Sequence, residues 1–294
     1  MIDAHTDKTQ TEDNPRIDPL TGRHTMGHDF DGIEELNTPM PRWWLISFYA
    51  LIAWGVIYMI LYPAFPMISG ATKGLLGYST RGEVVTQIAA HEAANAELVE
   101  QLLAADLANF DAASDLHRYA VARGGSVFRA QCSQCHGSGA AGALGYPNLL
   151  DNDWLWGGTL EQIAYSVTHG IRNETDFDAH WSQMPAFGDI LSRDEIDTLV
   201  EFVPTLANPE MQSPGGVLYM DNCAACHGDT GLGDRSMGAP NLADAIWLYG
   251  GDPASLTDTI TNARFGVMPA WGQRLSEEDV RAVSAYVHAL GGGE

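Results

Sequence analysis

The motif C-x-x-C-H occurs twice in this sequence, and this duplication constrains the fold more than any other feature. The two motifs, Cys132–His136 and Cys223–His227, lie 91 positions apart and account for all four cysteines. The pattern is typical of covalent haem attachment. Two cysteines about one helical turn apart can each form a thioether with a haem vinyl group, and the adjacent histidine can reach the iron. The sequence therefore predicts two covalently bound haem c groups. The predicted attachment and proximal-ligand residues are Cys132, Cys135, His136, Cys223, Cys226 and His227.

Two other interpretations of paired cysteines fit less well. Zinc needs four ligands per structural site, and the two pairs can supply them only by bridging distant parts of the chain. A thioredoxin-like redox pair needs neither the trailing histidine nor the duplication. Haem attachment explains both features.

The motifs belong to an internal repeat of about ninety residues. The matched segments are Gly125–Phe128 with Gly216–Tyr219, Pro147–Leu149 with Pro240–Leu242, Trp154 with Trp247, Gly170–Ile171 with Gly266–Val267, and Met184–Gly188 with Met268–Gly272. The first copy carries extra residues, Arg172–Gln183, before its Met-Pro. Each copy ends in a helix with an N-terminal cap, and strand alternation is lacking. The repeat predicts two tandem, mostly α-helical domains.

Met184 and Met268 are the predicted sixth ligands of the two irons. Each lies in the same M-P-A-[FW]-G context near the end of its copy, which favours ligation over simple packing. His169 and His180 are the alternative, which would give the first haem two histidine ligands. With both axial positions filled by protein, electron transfer is favoured over oxygen binding or catalysis.

Further residues are expected to support the haems. The carbonyl oxygens of Pro147 and Pro240 can accept a hydrogen bond from the haem-ligating histidines and so fix their tautomer. Trp154 and Trp247 can donate to a haem propionate, although core packing explains them equally well.

Residues 43–62 read WWLISFYALIAWGVIYMILY, without a charged side chain. Twenty helical residues reach about 30 Å, the thickness of a bilayer core. Polar residues precede the run, which argues against a cleaved signal peptide. The basic residues on its two sides barely decide the orientation, but bacterial c-type haems are attached outside the cytoplasmic membrane. We therefore expect an inner-membrane protein with a cytoplasmic N-terminus and periplasmic haem domains.

The chain is strongly acidic, with a formal net charge of −23 from 38 acidic and 15 basic residues. Such a surface repels nucleic acid and anionic lipid headgroups. It suits a partner that carries a basic docking patch, although solubility alone explains the charge equally well.

Both copies resemble class I cytochrome c domains, through Gly-x-x-aromatic, C-x-x-C-H, Pro-Asn-Leu and the Met-Pro that precedes a capped helix. The leader from Ile17 to Trp44 resembles that of the dihaem subunit III of cbb3-type cytochrome c oxidases, the CcoP/FixP family. This resemblance implies an electron-relay subunit with three kinds of protein partner: a donor cytochrome c, a monohaem cytochrome c subunit and a haem–copper catalytic subunit. Membrane lipid surrounds the single span.

The resemblance implies a fold with one transmembrane helix followed by two tandem cytochrome c domains. The expected divisions are 1–42, a cytoplasmic leader; 43–63, the transmembrane helix; 64–115, a periplasmic helical linker; 116–208, the first cytochrome c domain; and 209–294, the second. Each methionine is expected to ligate the haem of its own domain, although the crossed pairing uses the same residues. The alternatives are a stand-alone anchored dihaem carrier and a cytochrome subunit of a periplasmic dehydrogenase.

Overall fold

The structure is a computed structural model that describes residues 15–294. The first fourteen residues of the predicted leader lie outside the described residues. Helices predominate, as the sequence predicts. The chain divides into two compact units, one ending at His91 and the other running from Glu92 to Glu294.

The first unit begins with a β-hairpin that the sequence analysis missed. Strand β1 (Thr25–Phe30) pairs antiparallel with β2 (Ile33–Leu36), with an irregular register between Thr25 and Asp29. Thr25 is buried, and its hydroxyl accepts a hydrogen bond from the Arg16 amide. The hairpin therefore orders part of the leader.

Helix α1 (Arg42–Leu61) matches the predicted span to within two residues. Its mean hydropathy is 2.0, and none of its residues is buried within the protein. Leaving so many large apolar side chains in water is unfavourable by about 25 cal/mol per Å² of apolar surface, so the helix requires an apolar environment. Pro63 follows its end, and a two-residue pair of strands, β3 (Pro66–Met67) and β4 (Gly70–Ala71), comes next.

Helix α2 (Thr80–Ala104) runs from the first unit into the second. Its C-terminal end is capped by Arg281, whose guanidinium donates to the carbonyls of Leu102 (3.3 Å) and Ala105 (2.9 Å). A cation is favoured at this position because the last carbonyls of a helix lack partners and carry partial negative charge.

The second unit holds both copies of the repeat. Its remaining α-helices are α3 (Asp115–Val127), α4 (Ser133–His136), α5 (Leu160–His169), α6 (Arg193–Phe202), α7 (Pro214–Asn222), α8 (Ala224–His227), α9 (Pro253–Asn262) and α10 (Glu277–His288). A π-turn over Phe128–Cys132 joins α3 to α4. Ser192 and Ser276 cap α6 and α10 as predicted, and Pro204 follows the end of α6 in a 3₁₀ turn.

The two copies exchange their last helices. The first helix of the first copy, α3, packs against α10 from the end of the second copy, and α7 packs against α6. Helices α5 and α9 follow the same rule, with α5 against α10 and α9 against α6. The division at 208/209 thus separates two sequence repeats, whereas each hydrophobic core is built from both of them.

Close contacts hold the exchanged helices together. A Cβ at Gly124 in α3 would overlap the carbonyl oxygen of Ala282 in α10, and a Cβ at Gly215 in α7 would overlap Phe202 in α6. Arg123 in α3 also pairs with Asp279 in α10 at 2.7 Å. Glycine therefore permits the backbones to approach at both helix crossings.

The structure corrects one part of the repeat alignment. Gly170 (φ 77°) directly follows helix α5 and Ala263 (φ 60°) directly follows helix α9, so these two residues with positive φ are equivalent. The earlier match of Gly170 with Gly266 is wrong because the local sequence similarity obscured the helix ends.

Candidate haem sites

Each C-x-x-C-H motif follows the first helix of its copy. Cys132 ends the π-turn and Cys223 follows α7, so the motifs continue directly into the short helices α4 and α8. Both motifs stop at a glycine with positive φ, Gly137 (80°) and Gly228 (77°). Glycine suits this turn because it has no Cβ to clash in the left-handed region.

The two predicted histidine–proline hydrogen bonds are confirmed. His136 Nδ1 lies 3.0 Å from the carbonyl oxygen of Pro147, and His227 Nδ1 lies 3.0 Å from that of Pro240. A carbonyl oxygen can only accept, so Nδ1 carries the proton and Nε2 keeps its lone pair for a metal. Burial lowers the pKa of both imidazoles, and the proline carbonyls oppose this shift. The neutral, ligating form is therefore the favoured one.

The cysteine environments disfavour the two alternatives to haem attachment. Burial, with a smaller effect of the neighbouring cysteine, raises the pKa of the Cys132 and Cys223 thiols to about 11. A thioredoxin-like redox pair depends instead on a thiol that ionises easily. Among residues 15–294, the metal-compatible grouping of His, Cys, Asp and Glu is His169, Asp176 and Asp178, and it contains no cysteine.

The methionines pack in a crossed arrangement. Met184 lies against the same hydrophobic cluster as Cys223 and Trp247, whereas Met268 lies against the cluster of Cys132 and Trp154. This packing favours the crossed pairing over the expected ligation within each copy, which stays a prediction. The reason is the helix exchange, since each Met-Pro segment leads into the helix that crosses over.

The alternative histidine ligands are engaged elsewhere. His169 Nδ1 lies 3.2 Å from the carboxylate of Asp176, and His180 Nε2 lies 3.1 Å from the hydroxyl of Ser166. The His180 ring also stacks on Trp156, with ring centroids 4.2 Å apart. These contacts tie both histidines to α5 and the segment that follows it.

The two tryptophans that were considered as propionate donors have different surroundings. Trp154 Nε1 donates to the carbonyl of Gly292 at 2.5 Å, so this indole already has its partner. Trp247 packs against the core beside Met184.

Trp156 is a candidate that the sequence analysis missed. Its Nε1 is buried and has no hydrogen-bond partner among the described residues. Buried polar groups are rarely left unpaired, so an acceptor such as a haem carboxylate fits here. A comparison of the two copies could have indicated this residue. Trp154-Leu-Trp156 matches Trp247-Leu-Tyr249, so both copies have at this position an aromatic side chain with a hydrogen-bonding group at its edge.

A cavity of about 760 Å³ opens beside Cys226 and Pro240. Its other wall comes from the first copy and includes Asp153 and Trp154. Its lining includes neither His227 nor Met184, so this cavity does not define the ligand site of the second haem. The histidine, methionine and thiol donors of the two copies fit two c-type haems, and these residues define a dihaem electron-transfer protein with one candidate membrane helix among the described residues.

Comparison with known families identifies the chain further. Residues 22–69 match the N-terminal domain of cytochrome oxidase-cbb3, FixP, and residues 120–203 and 210–287 match cytochrome c oxidase, cbb3-type, subunit III. The chain belongs to this subunit III family. It is therefore a membrane-anchored oxidase subunit with two covalently bound haem c groups, as the sequence predicts.

Similar proteins support the same family over nearly the whole length. A cbb3-type cytochrome c oxidase subunit CcoP of Cereibacter sphaeroides is 55% identical over 92% of this chain and 95% of its own. Subunit FixP of Bradyrhizobium diazoefficiens is 47% identical over 96% and 99% of the two chains, and FixP of Sinorhizobium medicae is 46% identical over 95% and 98%.

Proposed function

We propose that this chain relays electrons from a donor cytochrome c, through its two haems, towards the monohaem and haem–copper subunits of the oxidase. Haem iron supplies the one-electron chemistry. The residues of the chain bind the two groups covalently, hold the proximal imidazoles in one tautomer and exclude water with the exchanged helices. This function distinguishes the chain from a stand-alone carrier or a dehydrogenase subunit, since its leader matches a domain of oxidase subunits.

The proposed ligand pairs are His136 with Met268 and His227 with Met184. The observation that carries this pairing is the sharing of one hydrophobic cluster by Met268 and Cys132, and of another by Met184 and Cys223. Thioether sulfur favours reduced iron and raises the potential relative to a second histidine. Both haems would therefore suit the high-potential end of a respiratory chain.

The pairing is tested with chains that carry one haem. In the double variant Cys223→Ala/Cys226→Ala only the first haem is attached. We expect Met268→Leu to abolish the Met–Fe charge-transfer band in this background and Met184→Leu to leave it. The opposite result would establish pairing within each copy. Haem content, measured as the pyridine haemochrome, controls for failure of maturation.

We also propose a topology and a set of partners. Residues 64–294 lie in the periplasm, the leader lies in the cytoplasm, and α1 spans the inner membrane. The acidic composition supports docking of a donor with a basic surface. Purification in mild detergent should recover haem b and copper with this chain; recovery of the chain without them would favour the stand-alone carrier.

A further inference from the structure

The loop that presents Met268 is joined directly to the first copy. The Ile171 amide donates to the Met268 carbonyl, and the Met268 amide donates to the Ile171 carbonyl, both at 3.0 Å. This two-bond antiparallel bridge fixes the backbone of the methionine itself. Ile171 directly precedes the extra residues of the first copy, and we call residues 171–183 the clamp segment.

The clamp segment also binds the chain just before Met268. Arg172 Nε donates to the carbonyl of Gly266 at 2.7 Å, and another nitrogen of the same guanidinium donates to the carbonyl of Ser182 at 3.2 Å. The guanidinium lies over the ring of Phe265, 5.6 Å from its centroid. One side chain thus links both ends of the clamp segment to the approach to Met268.

A third contact lies just after Met268. Gln273 Nε2 donates to the carbonyl of Thr175 at 2.9 Å, and the Thr175 hydroxyl lies 3.2 Å from Gln273 Oε1 and 3.1 Å from Asn173 Oδ1, to one of which it donates. Gln273 ends the 3₁₀ turn that follows the Met-Pro. The clamp segment therefore binds the methionine loop before, at and after the methionine.

The clamp segment is itself held in place. The Arg172 amide donates to the His180 carbonyl at 2.7 Å, and the His180 amide donates to Gly170 at 3.1 Å. Stacking of His180 on Trp156 and the hydrogen bond from the Tyr165 hydroxyl to the Asp178 carbonyl add side-chain anchors. Because the clamp segment is bound both to α5 and to the methionine loop, it fixes the methionine loop relative to α5.

The loop of Met184 has no such support. In the described part of the chain, the backbone amides and carbonyls of Met184 and its immediate neighbours have no corresponding backbone hydrogen bond. The second copy has only a short connection between α9 and Met268, so it has no segment that can fold over the other loop. Asp189 corresponds to Gln273 and both are exposed, but among residues 15–294 only Gln273 of the two makes side-chain hydrogen bonds to the other copy.

We propose that the clamp segment positions Met268 as the sixth ligand of the first haem and makes it harder to displace than Met184. This inference rests on the ligand pairs proposed above. Displacement requires the methionine loop to move away from the iron, and the clamp hydrogen bonds must break or distort for that motion. Arg172, Thr175 and Gln273 are positioning residues, since they act through the loop backbone.

The test is titration of the full-length ferric protein in detergent with imidazole, which competes with methionine for the iron. The Met–Fe charge-transfer band should disappear in two equal steps, with the Met184 haem responding first. Gln273→Ala should lower the imidazole concentration of the second step about fivefold to tenfold, the effect of losing one or two neutral hydrogen bonds. Thr175→Val, which removes only the hydroxyl donor, should give a smaller shift. The matched variant Asp189→Ala should change neither step.

Two results would contradict the proposed role of the clamp segment. One is coincidence of the two steps in the unsubstituted protein. The other is a Gln273→Ala variant whose second step needs the same imidazole concentration within twofold. The pairing is checked separately in the Cys223→Ala/Cys226→Ala background, where Met268→Leu must abolish the band of the remaining haem whether or not the clamp exists. If Met268→Leu leaves that band, the ligand assignment fails. Equal haem content and an equal initial band in Gln273→Ala exclude misfolding as the cause of a shift.

Discussion

Met268 and Cys132 lie against one hydrophobic cluster, although they come from different copies of the repeat. The same relationship joins Met184 to Cys223. In the proposed pairing, each haem site therefore combines an attachment motif from one copy with a methionine and a terminal helix from the other. Because neither copy contains a complete core, the two are expected to fold and bind haem together.

A chain ending at Asn208 tests this dependence. It retains the first motif but lacks α10, which packs on α3, and it lacks Met268. We expect such a chain to be poorly folded and to show no Met–Fe charge-transfer band from the first haem. Co-expression of residues 209–294 should restore both circular dichroism and the band. A stable domain with normal methionine ligation from the short chain alone would contradict the exchange.

Gly124→Ala is expected to weaken the contact between α3 and α10. The new methyl group would overlap the Ala282 carbonyl, and forcing extra volume into a packed contact usually costs about 1–3 kcal/mol. The gain in helix propensity, about 1 kcal/mol, offsets part of this. Denaturant unfolding measures the net loss. Gly139→Ala, where the added methyl meets nothing within 4 Å, is the control and should change stability little.

The attachment motifs and the proline hydrogen bonds could be predicted because they are local: spacing alone brings His136 to the Pro147 carbonyl. The exchange could not be predicted in the same way, because both copies offer nearly equivalent helices and Met-Pro segments. The available clue was that α6 and α7 follow one another along the chain, since consecutive elements are usually adjacent in space. The importance of Trp156 could not be predicted from the sequence, because only the structure shows that its Nε1 lacks an acceptor among the described residues.

Asp153 provides a pH-dependent prediction. Burial, followed by the charges of Asp244 and Asp151, raises the pKa of its carboxyl above the ordinary value, and Arg235 opposes this. Below the ordinary pKa the group is protonated in both states and carries no penalty. As pH rises from the ordinary pKa to the raised one, the carboxyl ionises more readily in the unfolded state, so the folded state loses stability until both forms are ionised. Asp153→Asn should therefore raise the thermal unfolding midpoint at pH 7, with the gain disappearing near pH 3. A gain that persists at low pH, or an equal gain for the exposed Asp189→Asn, would contradict this explanation.

The net charge of −23 predicts the salt dependence of electron uptake. If a basic cytochrome c docks on this surface, its second-order rate of electron transfer should fall steeply as ionic strength increases. Screening becomes effective over about 10 Å at 0.1 M salt. The rate is measured by stopped flow with a basic and an acidic donor of similar reduction potential. Because the difference in potential is then the same, any difference between the donors reports on docking. A rate that is independent of salt for both donors would show that charge does not guide the encounter.

Trp156→Phe tests whether the buried indole N–H binds a haem carboxylate. Phenylalanine keeps the aromatic surface that stacks on His180 but removes the donor. A carboxylate without this hydrogen bond is less well neutralised and favours ferric iron, so the midpoint potential of one haem should fall. Resonance Raman bands of the propionate groups should shift with it. Trp154→Phe is the matched control: it loses the bond to the Gly292 carbonyl and about 1 kcal/mol of stability, while the potentials and propionate bands should stay unchanged. Unchanged potentials and Raman bands in Trp156→Phe would show that the indole has another acceptor, such as an ordered water.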